Sequence, residues 1–224
     1  MIEQKNILFP LHTFIDRRMK LLIPYRRCPN NGLELRYAIR SMVRHFKPLS
    51  GVVLIGDKPN WYCGEHIPAT DTGAKEWNIV NKILSSPYED FLFSNDDIFA
   101  TQDFDETLPN YYSGLLATAR VHGKYVGRVI NCRSVYPDGM FYDIHTPMVI
   151  NLTKYREANN LPQNKEYLCK SLYGNFIGGG VQLPDNKVRN GKVIPPGPFF
   201  STNERTCKMI NLNELYPDAS EYEI

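Results

Sequence analysis

The sequence lacks any uninterrupted apolar run close to the roughly eighteen residues that a membrane span requires, because Arg, Asp or Lys breaks every hydrophobic stretch. A spanning helix is therefore not expected. The opening segment MIEQKNILFPLHTFIDRRMK has an acid at Glu3 and a short apolar run broken by Pro10 and His12, and it does not read as a signal peptide. Cysteine is sparse: Cys28, Cys63, Cys132, Cys169 and Cys207 are scattered, odd in number, and form no CxxC pair. With no His at zinc-finger spacing either, neither a disulfide framework nor a structural zinc site is expected, and a reducing cytoplasm fits best. Internal repeats and low-complexity tracts are missing, which argues against solenoids and long linkers.

Charge of one sign is missing from two stretches. Arg17 to Lys47 holds nine basic residues and one acid, whereas Ile83 to Ala119 holds no Lys or Arg, although the net charge is only +2. Such polarity suits an anionic ligand beside one region and a cation beside the other. At 224 residues the chain can close one substantial core, so a single domain over 1–224 is expected.

The pattern along the chain alternates between strand and helix. KLLIPYR reads as a short buried strand stopped by Pro24 and followed by the loop CPNNG. In GLELRYAIRSMVRHFK, Leu35, Ile39, Met42, Val43 and Phe46 recur at helical spacing beside a basic stripe of Arg36, Arg40 and Arg44, and Pro48 ends the helix. GVVLIGD, Gly51 to Asp57, is a continuous apolar run, as expected of a strand covered on both faces of a parallel sheet. AKEWNIVNKILSS suits a second helix and FLFSNDDIF the next strand. Further on, YYSGLLATAR and YVGRVINCR read as strands and NLTKYREANN as a helix, before forty-five residues rich in Pro and Gly from Gly180. The fold class implied is α/β, a mainly parallel sheet flanked by helices, with ligands beyond the carboxyl ends of its strands.

Asn95, Asp96 and Asp97 follow a buried strand, where acids can emerge at such a crevice. An NDD triplet alone is most often an Asx turn. Hard cations such as magnesium and manganese, however, take carboxylate oxygens together with substrate phosphates.

The chain resembles the GT-A nucleotide-sugar transferases, and within them the Stealth family of sugar-phosphate transferases. The resemblance rests on three blocks in order: NGLELRYAIRSMVRHF, FLFSNDDIF and YDIHTP, together spanning about residues 20–176. IPYRRCPNNG stands where that family carries a Trp-Val-(Asp or Asn)-Gly run, so glycosyl transfer is the broader expectation, with sugar-phosphate transfer inside it. The resemblance implies a nucleotide-binding half at about 18–100 and an acceptor and metal half at about 101–224. It further implies a nucleotide-sugar donor, most readily a UDP-sugar, and Mn2+ or Mg2+.

Residue by residue, the resemblance makes Asp97 the first metal ligand and gives Asn95 and Asp96 to ribose, metal-bound water or the strand end. His145 matches the late histidine that joins metal or diphosphate, and Asp143 and Asp96 join it as catalytic candidates. Tyr25 and Arg26 end the first strand where base and ribose are received, and Asp57 ends the second. Lys75 and Asn78 precede the acidic strand on a helix, with Lys75 toward the diphosphate and Lys82 on a solvated face. Arg128, Arg133 and Lys170 are further basic candidates for phosphate or acceptor, and Ser171-Leu-Tyr173-Gly-Asn175 is similar to an Arg-Ser-x-Tyr-x-Asn segment of Stealth proteins. The acceptor is expected to be a saccharide or lipid-linked glycan. Two other functions compete: a phage-type transferase acting on hydroxymethylated DNA through the arginine stripe, and an inactive domain that binds sugars or partners.

Overall fold

The computed structural model describes residues 18–106, 108–162, 164–189 and 193–224. In chain order the strands are β1 (Met19–Tyr25), β2 (Leu49–Gly56), β3 (Glu65–Pro68), β4 (Asp90–Phe93), β5 (Ile98–Ala100), β6 (Tyr111–Tyr112), β7 (Met148–Asn151), β8 (Val181–Gln182) and β9 (Phe199–Ser201). The helices are α1 (Leu33–His45), α2 (Lys75–Leu84), α3 (Lys124–Val135), α4 (Leu152–Ala158), α5 (Cys169–Ile177), α6 (Glu204–Met209) and α7 (Leu212–Leu215).

Five strands form the central sheet in the order β3-β2-β1-β4-β7. The first four run parallel, and β7 pairs antiparallel with β4. Successive side chains of a strand face opposite ways, and the two faces feed separate cores. Leu21, Ile23, Tyr25, Val52, Leu54 and Leu92 pack with Leu35, Ile39 and Met42 of α1. Leu22, Val53, Ile55, Phe91 and Phe93 pack with Val80 and Ile83 of α2 and with Tyr155 of α4. That two-sided burial is why β1, β2 and β4 read as unbroken apolar runs. On its outer side α1 also supports a smaller cluster in which Phe99 and Phe200, from the β5-β9 pair, stack at 4.8 Å.

Three expectations are corrected. β1 is not stopped by Pro24 but continues to Tyr25, with Pro24 opposite Ile55. Leu22 gives its carbonyl to Ser94 N–H on the β4 side at 3.0 Å. Pro24 faces the same way two residues later, past the end of β4 pairing at Phe93, so its missing N–H costs the ladder nothing. YVGRVINCR belongs to helix α3, not to a strand. Its Val and Ile content suggests β structure, but Val129 and Cys132 are buried while Val126 and Ile130 face solvent. YYSGLLATAR supplies only the two-residue β6 and a single 3-10 turn, Leu116–Thr118.

The loop between β1 and α1 is built by its sequence. The Asn30 side chain accepts hydrogen bonds from Gly32 N–H and Leu33 N–H at 3.2 and 3.4 Å. Gly32 is left-handed, with φ of 74°, and a Cβ there would meet the Tyr25 hydroxyl. The arginine stripe of α1 is covered by the C-terminal segment. Arg40 makes two 2.8 Å hydrogen bonds to Glu223, Arg36 lies 3.4 Å from the same carboxylate and stacks over Trp61, and Arg44 donates to the Leu215 carbonyl. The stripe thus has partners within the chain, with Arg40 the most enclosed and Arg44 still exposed.

Candidate active site

β4 ends at Phe93 and β5 begins at Ile98 in a different sheet, so Ser94 to Asp97 form the crossing between them. Asp97 Oδ2 accepts hydrogen bonds from Ser201 Oγ of β9 at 2.9 Å and from Lys187 Nζ at 3.0 Å. Lys187 Nζ also lies 3.1 Å from His145 Nε2. On the other side of that ring, Asp185 Oδ1 is 2.8 Å from His145 Nδ1 and accepts from the His145 backbone N–H at 2.9 Å. One ammonium thus bridges Asp97 and His145, which are forty-eight positions apart in sequence.

The loop bearing His145 is held from beneath by α5. Lys170 Nζ donates to the carbonyls of Ile144 and Thr146 at 2.6 and 2.8 Å, one on each side of His145. Ser171 Oγ accepts from Tyr142 N–H, Asp143 Oδ2 accepts from Ser171 N–H, and Asn175 binds both backbone groups of Met140. The segment Lys170 to Asn175 is therefore scaffold for residues 140–146. Lys170 is buried beneath the loop and also lines a neighbouring cavity, and burial lowers its pKa against the opposing pull of Asp143.

A cavity of about 330 Å³ opens beside this cluster, lined among others by Lys75, Glu76, Asn95, Asp143, His145, Asp185, Lys187 and Arg189, and also by Arg120 and His122. Burial pushes the Glu76 carboxyl up to about 7, and neighbouring Asp143 adds to this while Arg128, 2.7 Å away, opposes it. Burial also raises Asp143, against the lowering influence of Lys170 and of Ser171. Asp96 rises to about 7 through burial, then through the charges of Asp97 and Glu34. For Asp185, burial would raise the pKa, but the hydrogen bonds from the ring and backbone of His145 bring it below the ordinary value.

The other expected residues are distributed differently. Tyr25 is fully buried, with its hydroxyl 3.5 Å from the Cys28 thiol, so its ring offers no face to a nucleobase. Asn78 spends its amide on Thr72, Gly73 and the Gly73 carbonyl. Asp57 accepts from Arg27 N–H at 2.7 Å, and Arg26 is an exposed side chain 3.8 Å from Asp71. None of these four lines the cavity. Lys82 is not on a solvated face: it is buried, donates to the Tyr25 carbonyl and sits 2.7 Å from Asp71. Arg128 is likewise buried between Glu76 and Glu166, while Arg133 is exposed on α3.

Sequence reasoning missed Asp185, Lys187, Ser201 and Arg189, which come from the Pro- and Gly-rich tail, and Glu76, Arg120 and His122. The available signal was a group of charged residues, PDNKVR, inside an otherwise turn-rich stretch, since loops set on a rigid frame commonly carry function.

Among solved structures, the galactosyltransferase LgtC, in complex with donor and acceptor sugar analogues, aligns with a TM-score of 0.53 at 12% identity, covering 90% of this chain and 96% of that one. The fold is that of the GT-A glycosyltransferases. The bifunctional glycosyltransferase WbbM aligns at a TM-score of 0.47 and 13% identity over 76% of this chain and 38% of its own. The apo form of GlyE from Streptococcus pneumoniae TIGR4 aligns at 0.39 and 14% over 75% of this chain and 46% of its own. The chain thus spans less than half the length of these two. No family model and no curated protein matches the sequence.

Glycosyltransferases of this fold typically place a divalent cation at such a strand end. Asp97 and His145 have suitable donor chemistry, an oxygen and an imidazole nitrogen. Their arrangement does not fit an ion, because the Lys187 ammonium stands between them and Ser201 takes a second position on Oδ2. Among the described residues, no group of three His, Cys, Asp or Glu side chains could hold a metal. No helix among them is long and apolar enough to cross a membrane.

Proposed function

We propose that the chain transfers a sugar from a nucleotide-sugar donor, tried first as a UDP-sugar, to the hydroxyl of a saccharide or lipid-linked acceptor. The observation that carries this reading is the cation-rich cavity at the end of β4, bordered by Lys75, Lys187 and Arg189 and by the carboxyls of Glu76 and Asp143. Fixed cations favour the diphosphate most when its charge grows as it leaves. In the reaction the acceptor oxygen bonds to the anomeric carbon while that carbon's bond to the diphosphate oxygen breaks, and the electron pair leaves with the nucleotide. The acceptor proton passes to a base. Asp143 and Glu76 are the carboxyls positioned to receive it and to face the positive charge that develops on the sugar ring. His145, held by Asp185, orients Lys187.

The test is a panel of UDP-, GDP-, ADP- and CMP-sugars, read by melting temperature and by release of nucleotide. A true donor stabilises the protein by mass action; when a sugar moves, a UDP-, GDP- or ADP-sugar yields the nucleoside diphosphate and a CMP-sugar yields CMP. Release of nucleoside monophosphate from a UDP-sugar identifies sugar-phosphate transfer, the reaction implied by the Stealth resemblance. Failure of every donor to shift melting or release nucleotide would overturn the proposal.

A further inference from the structure

We propose that Lys187 takes the place of a divalent cation at this site, so that the donor's diphosphate is bound without metal. The inference rests on the reading of the site as a nucleotide-sugar pocket and specifies what neutralises the diphosphate there.

Four observations place Lys187 by design of the chain rather than by the reach of a loose side chain. Its ammonium contacts Asp97 Oδ2 at 3.0 Å and His145 Nε2 at 3.1 Å, and the lysine and aspartate side chains are both only 19% exposed. Its backbone is fixed against β9: Asn186 accepts from Ser201 N–H at 3.1 Å, and Val188 donates to the Ser201 carbonyl at 2.8 Å. Val188 is buried in the α1 outer cluster, and the Asn186 side chain donates to the Pro196 carbonyl. Finally, Asp185 holds Nδ1 of His145 on its proton-donating side, which leaves Nε2 as an acceptor for the ammonium.

The same contacts disfavour an ion. A hard cation needs Asp97 oxygen at about 2.0–2.2 Å, and on Oδ2 it would lie against the ammonium, where like charges repel strongly. A lysine ammonium is itself a common phosphate binder, acting as a point charge with three donors. With two of its hydrogens directed at Asp97 and His145, the third is available to a phosphate oxygen. Lys75 and Arg189 line the same cavity and supply further charge.

Calorimetric titration of UDP and GDP separates the outcomes, using protein stripped with EDTA and protein supplied with Mn2+. The wild type is expected to bind one of them with a Kd that Mn2+ changes by less than about twofold, and Lys187→Met to weaken that binding at least tenfold in EDTA. Mn2+ titrated alone should give no binding to the wild type. Nucleotide binding that appears only with Mn2+ overturns the inference and leaves the donor reading intact. Binding of neither nucleotide in either arm counts against the donor reading, and the Mn2+-only arm then decides the inference: Mn2+ bound by the wild type overturns it. The EDTA and Mn2+ comparison on the wild type needs no variant, so it stands if Lys187→Met fails to fold.

Discussion

Asp185 grips His145 through a single oxygen, Oδ1, which lies 2.8 Å from ring Nδ1 and 2.9 Å from the His145 backbone nitrogen. The carboxylate therefore fixes both the tautomer of the ring and the direction of Nε2 toward Lys187. Asp185→Ala should lower turnover by about tenfold or more and alter the pH profile of kcat. Its melting temperature should stay close to that of the wild type, because the side chain is partly exposed. His145→Ala should cost more in turnover, by orders of magnitude. A wild-type rate and pH profile in Asp185→Ala would remove this orienting role.

Asp97 is the anchor for two donors from β9 and the loop before it. Asp97→Ala deletes the acceptor of Lys187 and Ser201 without removing core volume, so the fold should survive. We expect transfer to fall by about a hundredfold or more, comparable to losing one preorganised electrostatic contact. Neither Asp96 nor Asp97 lines the cavity itself, but Asp97 holds Lys187, which does, so Asp96→Ala should be milder. Near-normal turnover in Asp97→Ala would take the β4 strand end out of the active site.

The two-faced strands of the central sheet were legible because continuous burial leaves an unmistakable apolar run, as in Val52 to Ile55. Asp97, Asp143 and His145 were legible as loop residues near strand ends. Tyr25 and Lys82 were misjudged for one reason: position at an element's end or on a helix does not say what packs over it. Tyr25 points into the α1 core, and the Lys82 stem crosses beneath Gly56 to reach the end of β1. Lys187 was missed because its role depends on a long-range bridge to Ser201, and no local periodicity marks such a pairing.

Glu223 should be a stability residue, although it lies next to the last residue of the sequence. Its carboxylate and the Arg40 guanidinium are 6% and 10% exposed and share two 2.8 Å hydrogen bonds, with Arg36 nearby. Removing one partner leaves a largely buried charge uncompensated. Glu223→Ala should therefore lower the unfolding free energy by about 3 kcal/mol, measured by urea denaturation with an unchanged slope. A loss below about 0.5 kcal/mol would mean that water replaces the carboxylate at no cost.

The pH dependence of stability should carry the signature of Asp96. Burial, reinforced by Asp97 and Glu34, lifts its folded pKa from 3.8 to about 7. The folded state thus holds a proton that the unfolded state has already released across that interval. Stability follows the difference in bound protons, so this group makes the protein less stable as pH rises from about 4 to about 7, and its cost is complete above 7. Asp96→Asn keeps the shape and removes the titration. The melting temperature of Asp96→Asn minus that of the wild type should grow with pH, by about 4 °C or more between pH 5 and pH 8. Glu76, also lifted to about 7 by burial, slopes the same way in both proteins and cancels in the difference. A difference that is flat between pH 5 and 8, or that shrinks as pH rises, would show that Asp96 is already ionised in the folded protein and stabilised there by the nearby cations.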